Sequence, residues 1–139
     1  MERLVLRYGS LLQALNTLEK ALELTKLQLD QDILQGLRDS EIQRFEYCVD
    51  EFWKYLKFYL EYYFEYEYVL ASPRLTLREC FQRQLISAEE LETCLNMVDD
   101  RNSTSHGYRF IIAEKIRESI PPYLAVMRCV VDRIKPKEK

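Results

Sequence analysis

Between residues 3 and 28, Leu4, Tyr8, Leu11, Leu15, Leu18 and Leu22 recur at steps of four, three, four, three and four. That alternation lays one apolar stripe along a helix and leaves the opposite side to water, so the segment must pack against other helices to persist. A second run follows from Ile42 through Phe45, Val49, Phe52, Leu56, Tyr59 and Tyr63, with Trp53 and Phe64 widening the stripe. Three glycines and four prolines in 139 residues leave few breaks in a background of Leu, Glu, Lys, Arg and Gln, which favours helix throughout.

Polar punctuation divides the chain. Asp30 to Asp39, with Gly36, reads as a connection or a frayed helical start, and Ser40 with Gln43 as a capping box for the second helix. Ser72 and Pro73 end that helix, because proline cannot continue it and restricts the residue before it. Thr76 with Glu79 opens a short helix through about Gln84, and Ser87 with Glu90 opens a fourth whose apolar face is Leu91, Cys94, Leu95 and Val98. The last helix begins near Tyr108 and presents Ala113, Ile116, Ile120, Tyr123, Met127, Val130 and Ile134, with a kink or short break expected at Pro121 and Pro122. The expectation is an all-α protein, an antiparallel up-and-down four-helix bundle with one additional short helix. It forms one domain over residues 1–139, with its core in about 3–134 and a basic tail at 135–139.

Charge narrows the function. Twenty basic and twenty-three acidic residues give a net charge of -3, which does not suit a protein that grips duplex nucleic acid along a wide basic face. Any nucleic-acid contact has to be local. Cys48, Cys80, Cys94 and Cys129 contain no CxxC pair and have one histidine to share, so no metal site and no cofactor are expected. No leader is read at the start and no apolar run reaches the ~18 residues that span a bilayer, so the cysteines are expected as reduced thiols in the cytoplasm. The aromatic stretch "FEYCVDEFWKYLKFYLEYYFEYEY" is core with an amphipathic rim, or a dimer or partner surface, where tyrosine is enriched.

The connection "DDRNSTSHGY" holds the one histidine, His106, in a run of residues that suit caps and turns. Were the helix to continue, Asn102 and His106 would lie about 40° apart on one face and Arg101 and Tyr108 about 20° apart on the next. Arginine and imidazole suit phosphodiester chemistry: the imidazole titrates near neutrality and moves a 2'-hydroxyl proton, and the guanidinium binds the phosphate and its developing charge. Cleaving RNA this way wants a base and an acid, and one histidine supplies only one of them. A two-fold dimer that brings two copies together would supply both. The same residues also allow a plainer reading, in which Arg101 pairs with Asp99 or Asp100 on the surface, Asn102 caps a helix and Tyr108 packs at a helix start.

"IQRFEYCVDEFWKYLKFYLE", then "SPR" at Ser72 to Arg74, then "RNSTSHGY" resembles the nucleotidyltransferase substrate-binding family, a branch of the HEPN superfamily, from about residue 3 to residue 134. The most specific parts are "RFEY", "WK", "SPR" and the Arg-Asn-x-x-x-His-x-Tyr string. The resemblance implies a homodimeric bundle beside a separately encoded minimal nucleotidyltransferase. It implies the toxin of a toxin–antitoxin pair: a metal-independent endoribonuclease with a composite Arg-x4-His site, silenced when the nucleotidyltransferase puts AMP on the nearby tyrosine. Carried over, Arg101 and His106 are catalytic, Asn102 supports the histidine and Tyr108 accepts AMP. The alternative the resemblance carries is a non-catalytic accessory subunit that helps present a nucleotidyltransferase's substrate.

Overall fold

The structure is a computed structural model and describes residues 1–104 and 110–137. Among these residues the chain forms five helices and no strand: α1 (Glu2–Leu24), α2 (Gln31–Tyr63), α3 (Pro73–Gln82), α4 (Ala88–Thr104) and α5 (Phe110–Arg133). None is long and apolar enough to cross a membrane.

The ties between helices give the topology. Cys48 donates to the Ala14 carbonyl at 3.0 Å and Thr25 to Glu41 at 2.9 Å, so α1 runs antiparallel to α2. Arg117 reaches Glu41 at 2.6 Å and the Tyr55 hydroxyl reaches the Ile134 carbonyl at 2.5 Å, so α5 runs parallel to α2. Tyr123 with Asp100 and Arg133 with Glu90 set α4 antiparallel to α5. The four long helices therefore go up, down, up and down, with α3 inserted between α2 and α4. The expected bundle with one short extra helix is what forms, and among the described residues α2 touches each of the other four helices.

The predicted stripes are the core. Leu4, Leu11, Leu15 and Leu18 of α1 are buried, as are Ile42, Phe45, Val49, Phe52, Leu56 and Tyr59 of α2 and all seven residues foreseen for α5. Met97 joins the α4 face beside Cys94 and Val98. Cys48, Cys80 and Cys94 pack as small apolar groups, burial pushing each thiol up to about 12, whereas Cys129 is exposed. Among the described residues one carboxylate is buried, Glu41, and it is compensated by Arg117 and Thr25, as a charge withdrawn from water requires.

Several boundaries differ from expectation. α2 begins nine residues before Ser40, because Asp30 accepts from the Asp32 amide at 2.9 Å and caps it there. Ser40 and Gln43 are interior residues, not a capping box. α2 also stops at Tyr63, well short of Ser72. Its last turn has no basic residue, and Glu61, Glu65 and Glu67 would crowd the negative end of the dipole had it continued. The released segment is held by its rings: Arg83 stacks over Phe64 at 4.3 Å and over Tyr66 at 5.4 Å, and Leu70 is fully buried.

Ser72, not Thr76, caps α3, accepting from the Leu75 amide at 3.1 Å with Pro73 at the first helical position. Thr76 is buried and donates back to the Ser72 carbonyl at 2.9 Å. α3 closes with Gln84 at φ 60, the Leu85 amide reaching the Cys80 carbonyl and the Gln84 amide that of Phe81. The α4 capping pair forms as foreseen, the Glu90 amide donating to Ser87 at 3.1 Å and the Ser87 amide to Glu90 at 2.9 Å. α5 is unbroken through Pro121 and Pro122. Both prolines are exposed, on the side where the carbonyls they leave unbonded can be hydrated.

Candidate anion site at the end of α4

Arg101 occupies the last turn of α4, where a cation also suits the helix dipole. Its guanidinium turns away from its sequence neighbours and onto α2. Nε and Nη2 donate to the two oxygens of Asp50 at 3.2 and 3.1 Å, and Nη1 donates to Glu46 at 2.9 Å. This is a forked pair on Asp50 with a second carboxylate one helical turn away. Hydrogen bonding to Asp50, ahead of the opposing effect of burial, raises the Arg101 pKa above its ordinary value, so its charge is permanent.

The surface pairing considered from sequence does not form. Asp99 is paired with Arg74 of α3, and Asp100 accepts from Tyr123 of α5 at 2.5 Å. Burial, then Asp100 itself, pushes the Tyr123 hydroxyl up, so the phenol keeps its proton and ties α4 to α5. Asp99 and Asp100 thus fix the end of α4 on two sides, and Arg101 is left to α2. The Thr104 hydroxyl donates to the Arg101 carbonyl at 2.7 Å and closes the last described turn.

Guanidinium carries five N–H groups. Three are engaged by Glu46 and Asp50. Among the described residues one N–H on each Nη is left to meet an anion's oxygen. Arg101 keeps 22% of its side chain exposed, enough for an anion to reach it. A cavity of about 260 Å³ lies alongside, lined by Asp39, Ile42, Gln43 and Glu46 of α2 and by Thr104. A bigger cavity of about 880 Å³ lies between the end of α3 and the start of α4, lined by Phe81, Leu85, Glu90 and Arg133 among others. It is roughly 16 Å along α4 from Arg101 and belongs to another part of the surface.

Of the residues singled out from sequence, Arg101 stands at this site and Asn102 follows it on the exposed side of α4. His106 and Tyr108 lie outside the described residues. Glu46 and Asp50 were missed. The signal that could have found them is their spacing, one turn apart on the flank of the apolar stripe of α2, each next in sequence to a stripe residue, with Glu46 inside "RFEY". Among the described residues no group of three or more His, Cys, Asp and Glu is arranged to hold a metal ion.

Fold and site together define a small antiparallel helical bundle that presents a clamped arginine at the head of a polar interhelical connection. The chain belongs to the family described as nucleotidyltransferase substrate binding protein like, whose model matches residues 6–136. That membership is consistent with the HEPN superfamily. A crystal structure of a protein from Thermus thermophilus is similar, with 36% sequence identity, a TM-score of 0.74, and coverage of 91% of this chain and 99% of that one. No curated protein shows significant similarity to the chain.

Proposed function

We propose that this protein is a HEPN-type toxin of a two-gene toxin–antitoxin module, acting as a metal-independent endoribonuclease. The observation that carries this reading is the state of Arg101. It is permanently charged, fixed in orientation by two carboxylates and, among the described residues, left with two N–H groups for a phosphate. Five residues on stands His106, the one imidazole of the chain. Arg101 binds the scissile phosphate, and His106 moves a proton during transesterification. Asn102 supports the histidine. The protein works as a homodimer that brings two copies of the motif together, and its cognate partner is a minimal nucleotidyltransferase. That partner places AMP on Tyr108, two residues from His106, where a bulky anion obstructs the substrate phosphate by size and by like charge.

The family description favours a second reading, a non-catalytic subunit that binds a nucleotidyltransferase and helps present its substrate. Incubation of wild type, His106→Ala and Arg101→Ala with mixed tRNA and mRNA, chelator present, separates the two. Fragments ending in 2',3'-cyclic phosphate with wild type alone are the expected result. Intact RNA with every protein, each one folded, would move the function to the accessory role.

A further inference from the structure

RNA transesterification needs a group to take the 2'-hydroxyl proton and a group to protonate the leaving oxygen. One histidine per chain supplies one of these, and a dimer would supply the second from the other chain. The structure offers another candidate inside a single chain. Glu46 lies 2.9 Å from Arg101 Nη1, keeps 26% of its side chain exposed, and lines the cavity that Thr104 closes from the side of the motif. Asp50 holds the same guanidinium through two bonds but takes no part in that cavity. The two carboxylates therefore differ in place: Asp50 grips both Nε and Nη2, and Glu46 holds Nη1 while facing the cavity beside the guanidinium. Among the described residues, the charged groups around Glu46 are Arg101 of α4, Asp50, which shares that guanidinium, and Asp39, which lines the same cavity.

We propose that Glu46 is the general base of this site, so that each protomer carries a base of its own. The proposal rests on the ribonuclease reading. Glu46 takes the 2'-hydroxyl proton, and the freed oxygen bonds to phosphorus. The bond from phosphorus to O5' breaks, its electron pair stays on O5', and that oxygen takes a proton from the His106 imidazolium. The products are a 2',3'-cyclic phosphate and a 5'-hydroxyl. The Glu46 acid and the neutral imidazole return to their starting states by proton exchange with water. Arg101 holds the phosphate throughout and, through its bond to Glu46, keeps that carboxylate aimed.

The test is the pH dependence of kcat and KM for cleavage of a short single-stranded RNA by wild type, Glu46→Gln, Glu46→Asp and Asp50→Asn, with thermal melts to establish folding. Loss of a general base lowers kcat by about 100-fold or more. The expected result is that Glu46→Gln loses at least that factor together with the acid limb of the wild-type profile. Glu46→Asp keeps the limb at a reduced rate, and Asp50→Asn raises KM with the limb intact. Should Glu46→Gln behave like Asp50→Asn, or cleave at the wild-type rate, the assignment of Glu46 falls while cleavage that depends on His106 still stands. Absence of cleavage by wild type would overturn both readings together.

Discussion

Glu90 shows how one side chain serves two roles. It completes the α4 cap with Ser87 and receives two hydrogen bonds from Arg133, at 2.9 and 2.7 Å. The Arg133 guanidinium, with the cap, holds its carboxyl down at about 2, from 4.5. A depressed folded-state pKa means that the stabilisation is complete above the unfolded value and is lost as pH falls through the folded one, here between about 4.5 and about 2. Glu90→Ala is therefore expected to cost about 1–2 kcal/mol at pH 7, a difference that shrinks towards zero near pH 2. Denaturant midpoints of the two proteins at both pH values check this. The cap was legible because Ser87 and Glu90 lie three apart at a helix start. The partners of Arg101 were not, since Glu46 and Asp50 precede it by 55 and 51 residues and only the tertiary fold brings them together.

Among the elements, α5 departs most from what its sequence favours. Pro121 and Pro122 remove the amides that would reach Arg117 and Glu118, yet the helix is continuous. Burial of Ile116, Ile120, Tyr123 and Met127 on the other side holds it together. Proline in a helix interior costs about 3 kcal/mol against alanine, partly offset by the stiffness it lends the unfolded chain. Replacing both prolines by alanine should raise the stability of the protein, by about 1–3 kcal/mol, measured as an upward shift in Tm. An unchanged Tm would mean that the helix is already relaxed around them. Helix identity and buried faces were readable from spacing, because four-three steps encode one side of a cylinder. Ends were less readable. Ser40 with Gln43 has the letters of a cap, but the chain was already helical there, and the end of α2 answers to the charge of Glu61, Glu65 and Glu67 and to rings stacked on Arg83.

For the whole molecule, the net charge of -3 sets the terms on which the proposed ribonuclease would meet RNA. The cation at the site is flanked by Glu46 and Asp50, so few phosphates are neutralised on binding. Each phosphate neutralised on a single strand contributes about -0.7 to the slope of log K against log salt, so a slope between about -0.7 and about -1.4, for one or two phosphates, is expected. Filter binding by His106→Ala between about 50 and 200 mM salt measures it, and a slope several times steeper would point to a wider cationic surface than Arg101 provides. The position of the carboxylate pair has a further consequence, in time. Among the described residues α2 is the helix that touches all the others, so its middle opens only when the bundle as a whole opens. Glu46 and Asp50 are carried there, so the helix that presents them to Arg101 keeps its place about as long as the native state, which in small domains runs from under a second to days. Successive anions therefore meet an arginine whose two carboxylate partners are already in place, and the platform is not rebuilt between one encounter and the next.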